Sequence, residues 1–182
     1  GLYETMIRRV APYSLRGFLY YQGEEDVQRY ADYSDMMQML VKQWRMDWND
    51  WNLPFLFVQL PMYLADGEKD DSCWALQREQ QYIASMMIQN TGMISLADCG
   101  EYDNIHPLDK KTPGDICFSL RKNLVYDRQG TITANSSTAV SDNGKLYVTF
   151  DHLHEKLVMQ TADSRPFEIS GEDNIFILQK QT

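Results

Sequence analysis

Apolar stretches alternate with stretches of helical periodicity over the first 130 residues, and this alternation limits the possible folds more than any other feature. Strands that alternate with helices at this spacing are typical of βαβ units, which build a parallel sheet covered by helices. The aromatic and apolar density of the strand-like stretches indicates that they are buried. The six stretches, strand and helix in turn, are 13–22, 32–48, 53–63, 72–87, 91–100 and 112–127.

The predicted helices begin at residues that commonly cap helices. Ser34 or Asp32 stands at the start of the first helix, and Ser72 stands at the start of the second. Thr112 precedes Pro113 at the start of the third. Proline is tolerated at a first helical position because its missing N–H would have no partner there. These signals favour three helices, one after each strand.

The pattern of residue types along the chain changes after Gly130. The residues beyond it show threonine, valine and alternating patterns without a helical period, and Asp142-Asn143-Gly144 is a hairpin signal. We therefore predict an α/β domain over 1–129 and a β-rich accessory segment over 130–182.

Composition argues against several classes of partner. The net charge of −9 and the pI near 4.7 disfavour a nucleic-acid partner, because phosphate binding needs clustered lysine and arginine. No apolar run approaches the roughly 20 residues that span a bilayer, so no membrane partner is expected. Three cysteines without CxxC spacing indicate free buried thiols rather than a disulfide framework or a zinc site. No metal and no cofactor are predicted.

Two polar motifs follow predicted strands, at the edge where open α/β sheets bind ligands. Gln22-Gly23-Glu24 follows the first strand, and Asp103 and His106 follow the third. A carboxylate three residues before a histidine can reach back to the imidazole and orient it as a general base. The alternative is a surface Asp-x-x-His turn before a proline, and the spacing alone leaves both interpretations open.

Taken together, these two motifs and their flanking segments resemble the sialate O-acetylesterase family of SGNH (GDSL-like) hydrolases. The resemblance runs nearly end to end and implies the fold. We expect a partial SGNH-hydrolase domain of the flavodoxin-like type, with a three-layer parallel sheet, helices on both faces and a short β-rich C-terminal segment. The matching segments are 1–7, 16–26, 39–48, 53–63, 74–81, 91–110, 146–152 and 167–176.

The resemblance also implies a role for each motif residue. His106 corresponds to the general base, and Asp103 corresponds to the carboxylate that orients it. Gln22 corresponds to the side-chain amide donor of the oxyanion hole. Glu24 would brace that loop, and Gly23 would let its backbone turn.

One departure from the family concerns the nucleophile, a serine in a Gly-Gln-Ser-Asn-type turn upstream of the segment that 1–7 matches. Nothing in the 182 residues resembles that turn. We therefore expect the C-terminal part of a serine carbohydrate O-acetylesterase that is inactive alone and is completed by an N-terminal part of the same protein. Its substrate would be sialic acid or another O-acetylated sugar.

The alternative function is a non-catalytic carbohydrate-binding or interaction module derived from the same fold. It would retain the sheet and the two motifs without the nucleophile strand. The resemblance further suggests a periplasmic, secreted or lysosomal location.

Overall fold

A computed structural model describes residues 1–11, 13–64, 73–96, 99–126, 135–151, 168–172 and 176–178. The chain divides into two compact units. The first comprises Gly1–Lys69 with Cys73–Thr131, and the second comprises Ile132–Thr182 with Asp70–Ser72. The division into a hydrolase domain over 1–129 and an accessory segment over 130–182 stays a prediction.

The first unit alternates strands and helices, as predicted, after a short helical start. That start is a π-helical turn, Tyr3–Ile7, which continues into α1, Arg8–Val10. The next elements are β1 (Phe18–Tyr20), a 3₁₀ helix (Glu24–Asp32), α2 (Tyr33–Asp47), β2 (Phe55–Gln59), α3 (Cys73–Met87), β3 (Thr91–Ser95) and α4 (Lys111–Tyr126).

The three strands form one parallel sheet in the order β1-β2-β3. Phe18 lies opposite Phe55, and Phe55 lies opposite Thr91, so the strands run in register from one edge of the sheet. Because all three are parallel, their carboxyl ends lie together at the other edge. The predicted parallel sheet is confirmed.

Helices cover both faces of this sheet because side chains alternate along the buried β2 strand. Phe55 and Phe57 pack with residues of α2 and α3 on one face. Val58 packs with Ile94 on the other face, where Ile116 and other residues of α4 cover them. The three-layer α/β prediction is therefore confirmed.

The strands are shorter than the predicted stretches 13–22 and 53–63. β1 begins at Phe18, which lies opposite Phe55. Phe55 is the first residue of β2 and directly follows Pro54. Proline has no N–H to donate, so Pro54 and Pro61 also limit the sheet at the two ends of β2.

The helix starts differ from the predictions. The carboxylate of Asp109 accepts hydrogen bonds from the backbone N–H groups of Lys111 (2.9 Å) and Thr112 (3.1 Å). The prediction of Thr112 as the capping residue is therefore wrong, because the stronger acceptor three residues earlier takes that position. Asp32 precedes α2 without a side-chain capping bond, and Ser72 lies outside the described residues.

The second unit consists of antiparallel strand pairs. β4 (Asn135–Asp142) pairs with β5 (Lys145–Asp151) through a turn in which Asn143 and Gly144 have φ values of 49° and 73°. The predicted hairpin is confirmed. β6 (Glu168–Ser170) pairs with β7 (Phe176–Leu178).

Three further predictions concern the cysteines, membrane-spanning helices and metal sites. No disulfide joins the described residues Cys73, Cys99 and Cys117, and each is half-buried rather than fully buried. Within the described ranges, no helix has the length and apolarity needed to cross a membrane. The same ranges contain no group of three or more metal-ligating side chains that could hold an ion.

Candidate active site

The loops that follow the three strands lie at the carboxyl edge of the sheet and contact one another. The backbone N–H of Leu64, after β2, donates to the carbonyl of Tyr102, after β3, at 2.8 Å. The ammonium of Lys110 lies 5.5 Å from the centroid of the Tyr21 ring, at the end of β1. The Gln-Gly-Glu turn and the Asp-x-x-His loop therefore share one edge of the sheet.

The side-chain amide of Gln22 is half-buried and bonded at both of its ends. Its Oε1 accepts a hydrogen bond from the hydroxyl of Tyr20 at 3.0 Å. Its Nε2 donates to Oδ2 of Asp26 at 2.7 Å. A primary amide has two N–H donors, so Asp26 occupies one and the second can serve another acceptor.

The backbone of the same turn is held from the helices. The carbonyl of Gln22 accepts a hydrogen bond from the hydroxyl of Tyr33 at 3.0 Å and a longer one from Nε2 of Gln81 at 3.4 Å. Burial raises the pKa of Tyr33, which keeps its hydroxyl protonated as a donor. Gln81 is fully buried and also accepts the backbone N–H of Leu60 at 2.9 Å. The residues just after β1 and just after β2 are thus both bonded to α3.

Gly23 has a φ of 147°, a conformation that residues with side chains rarely adopt. A Cβ at this position would lie 3.1 Å from the amide nitrogens of both Gln77 and Gln81. Those amides are fully buried, and Gln77 has no hydrogen-bond partner within the part of the chain that the structure describes. The turn after β1 therefore needs glycine for its conformation and for its space.

Glu24 is half-buried at the start of the 3₁₀ helix. No hydrogen bond of its carboxylate occurs between described residues. Its bracing role stays a prediction, since the observed bonds join the turn to Tyr33 and Gln81, which donate to it, and to Asp26, which accepts from Gln22.

Asp103 and His106 both lie in the loop after β3, and both are exposed. The hydrogen bonds and ion pairs found across the described ranges do not include one between their side chains. The backbone N–H of His106 donates to Oδ1 of Asn104 at 3.0 Å, which fixes the main chain beside the imidazole. The roles of Asp103 and His106 stay predictions.

Sequence reasoning missed Glu101, whose carboxylate closes this loop around His106. It accepts hydrogen bonds from the backbone N–H of Leu108 at 2.8 Å and from Nδ2 of Asn104 at 2.7 Å. These two bonds, that of Leu108 first, lower the pKa of Glu101. The only sequence signal was an acidic residue three positions before an asparagine, which is too common to single out.

We expect Glu101→Gln to loosen the loop around His106 at neutral pH. The pKa of the wild-type carboxyl is lower in the folded state, so its contribution is present above the ordinary glutamate pKa and is lost as the pH falls through the lowered value. Hydrogen exchange of residues 99–110, expressed as protection factors, measures this effect. Wild type should lose protection only in acid, whereas the variant should show reduced protection at every pH because its neutral amide oxygen is a weaker acceptor.

The exposed Glu79→Gln on α3 is the matched control and should leave those protection factors unchanged. Equal protection of the loop in wild type and Glu101→Gln at pH 7 would contradict the organising role of the carboxylate.

Similarity to known proteins identifies the family of this chain. The profile of a family described as carbohydrate esterase, sialic acid-specific acetylesterase, matches residues 1–113. The chain is 28% identical to the sialate O-acetylesterase of Mus musculus over 195 aligned positions, which cover 93% of this chain and 34% of the mouse protein. It is 25% identical to the Homo sapiens sialate O-acetylesterase, with 93% of this chain and 36% of that protein covered.

A solved structure shows the same fold. The crystal structure of a novel carbohydrate acetylesterase from Xanthomonas citri superposes with a TM-score of 0.84 at 30% identity, covering 97% of this chain and 42% of that chain. The chain spans about a third of the length of the curated relatives it matches. Because the family profile covers more than half of its residues, this chain belongs to the sialic acid-specific acetylesterase family of carbohydrate esterases.

Proposed function

We propose that this chain is the C-terminal part of the catalytic domain of a serine carbohydrate O-acetylesterase. The substrate class is an acetyl ester on sialic acid or on another O-acetylated sugar. The observation that carries the proposal is the meeting of two loops at one edge of the sheet. Gln22 lies in one and His106 lies in the other, and Lys110 of the second loop reaches the Tyr21 ring of the first.

The reaction would proceed in two steps. His106 takes the proton of the serine hydroxyl as its oxygen attacks the acetyl carbonyl, and Gln22 donates a hydrogen bond to the oxyanion that forms. The protonated imidazole then gives its proton to the departing sugar oxygen, which leaves an acetyl-serine. A water molecule deprotonated by His106 hydrolyses that ester and releases acetate.

Asp103 is assigned the orientation of His106 in this scheme. The two side chains share a loop and lie three residues apart, although no hydrogen bond between them is formed in this structure. Hydrogen bonds of catalytic groups are commonly loose without substrate and tighten in the reacting complex. The exposed imidazole is free to turn toward either the carboxylate or the nucleophile.

The nucleophilic serine is assigned to a segment of the same protein outside these 182 residues. The outer edge of β1 is unpaired within the described strands, and Leu19 on that strand is 61% exposed. Beside it, a mostly apolar groove of about 370 Å³ runs between the sheet and α4, where Leu56, Val58 and Phe118 line it. An additional strand paired beside β1, with a helix in the groove, would cover both surfaces. It would bring the serine to the carboxyl ends of the strands.

Hydrolysis of p-nitrophenyl acetate tests the proposal. The 182 residues alone should show no turnover above buffer, whereas the protein extended upstream should hydrolyse the ester. Turnover by the isolated chain would place the nucleophile within it. An inactive extended protein that still binds an acetylated sugar would overturn the esterase assignment in favour of the non-catalytic binding module.

A further inference from the structure

Four side chains around the Gln-Gly-Glu turn form one continuous set of hydrogen bonds. The hydroxyl of Tyr20 donates to Oε1 of Gln22 at 3.0 Å, and Nε2 of Gln22 donates to Oδ2 of Asp26 at 2.7 Å. The guanidinium of Arg29 donates to the other oxygen of Asp26 at 2.8 Å. The order of the set is therefore phenol, amide, carboxylate and guanidinium.

This set determines which way the Gln22 amide faces. An ionised carboxylate can only accept hydrogen bonds, so the nitrogen of the amide must face Asp26 and the oxygen must face Tyr20. Burial, with smaller contributions from the charges of Asp26 and Glu24, raises the pKa of Tyr20 and keeps its hydroxyl a donor. A flipped amide would place its oxygen against the Asp26 carboxylate and lose that bond. Asp26, which can only accept, therefore fixes the direction of the amide, whereas the Tyr20 hydroxyl can either donate or accept.

Tyr20 is itself fixed by the core. Its ring centroid lies 5.6 Å from that of Phe55 and 6.1 Å from that of Trp44. Phe55 is fully buried, so the phenol that anchors one end of the Gln22 amide stands on a rigid strand. The anchor at the other end, Asp26, lies in the 3₁₀ helix that follows the turn.

We propose that Asp26 is a positioning residue of the esterase site, which acts with Tyr20 to hold the amide of Gln22 so that its second N–H can meet the oxyanion. This inference rests on the proposed function. Asp26 contacts neither substrate nor nucleophile in this scheme and acts only through Gln22. Arg29 has a minor part, because its side chain is 67% exposed and such surface ion pairs contribute little.

Steady-state hydrolysis of p-nitrophenyl acetate by the upstream-extended protein tests the proposal. Asp26→Ala should lower kcat about tenfold with KM nearly unchanged, because a mobile amide weakens an interaction made mainly in the transition state. Asp26→Asn should recover part of this loss, since its carbonyl oxygen can still accept from Gln22. The exposed neighbour Glu25→Gln is the matched control and should retain wild-type kcat.

A double-mutant cycle separates positioning from general support of the fold. In the Gln22→Ala background, Asp26→Ala should have almost no further effect on kcat, because the group through which it acts is gone. An undiminished tenfold loss in that background would overturn the proposal. So would a wild-type kcat in the single Asp26→Ala variant.

The orientation of the amide can be tested without activity. A crystal structure of Asp26→Ala should show the Gln22 side chain turned away from its wild-type position, whereas Glu25→Gln should leave it in place. An unmoved amide in Asp26→Ala would overturn the positioning role even if the esterase is active. An inactive wild-type protein with a displaced amide in the variant would instead overturn the proposed function, and Asp26 would then orient the amide without a role in ester hydrolysis.

Discussion

Replacing His106 with alanine is expected to reduce acetyl-ester hydrolysis by the upstream-extended protein by about 10⁴-fold or more. In the proposed mechanism His106 is the base for both the serine and the water of the second step, so its removal would leave each without one. The side chain is exposed and its backbone N–H bond to Asn104 does not depend on its identity, so the fold should be unaffected. Steady-state kinetics with p-nitrophenyl acetate measure the loss of activity, and a thermal melt of the same sample measures the stability of the fold.

Leu108→Ala provides the control for this variant. Leu108 lies two residues away in the same loop and is 86% exposed, and it contributes to the loop through its backbone N–H. The Leu108→Ala protein should therefore keep its activity. Near-normal turnover by His106→Ala would show that another group is the base.

Asp103→Asn should show a large loss of hydrolytic activity with no change in the melting temperature. A wild-type rate in this variant would remove Asp103 from the mechanism.

Gln22→Ala is expected to lower kcat by roughly 10²–10³, equivalent to about 3–4 kcal/mol of transition-state stabilisation. The amide N–H would bond the oxyanion more strongly than the neutral carbonyl of the bound ester. The loss should therefore fall on kcat, with KM almost unchanged. A loss confined to KM would show that Gln22 binds the sugar instead.

Gln43→Ala is the matched control for Gln22. Gln43 is an exposed glutamine on α2 whose amide donates to Asp47, and its removal should leave kcat unchanged. A wild-type kcat in Gln22→Ala would remove the amide from the oxyanion hole. The carbonyl of residue 22 remains in this variant, so the bonds from Tyr33 and Gln81 to the turn are retained.

The order and type of the main elements could be predicted from sequence because burial imposes the apolar pattern. β2 alternates Phe55 and Phe57 on one face with Leu56 and Val58 on the other, and this two-sided burial gives its continuous apolar run. Strand ends were less predictable. The N–H of Leu60, just beyond β2, donates to Gln81, which lies 21 residues further along the chain.

The site was predictable only as far as motifs reach. Gln22 and His106 stand in recognisable patterns after strands, but Asp26 and Glu101 resemble ordinary surface acids in the sequence. Their hydrogen bonds to Gln22 and to the loop around His106 arise from side-chain directions that the folded backbone creates. The capping of α4 by Asp109 rather than Thr112 shows the same limit, since both residues are good caps and only geometry selects one.

A single buried amide, that of Gln81, bonds the carbonyls of Val58 and Gln22 and the N–H of Leu60. Residues Gln22 and Leu60, just after the first two strands, are consequently bonded to the same helix. These bonds restrict the two segments when the chain folds, so under the proposed function less conformational entropy would be lost when an acetylated sugar binds. A sugar site built on such a preorganised rim would discriminate among sugars by shape rather than by adapting to each.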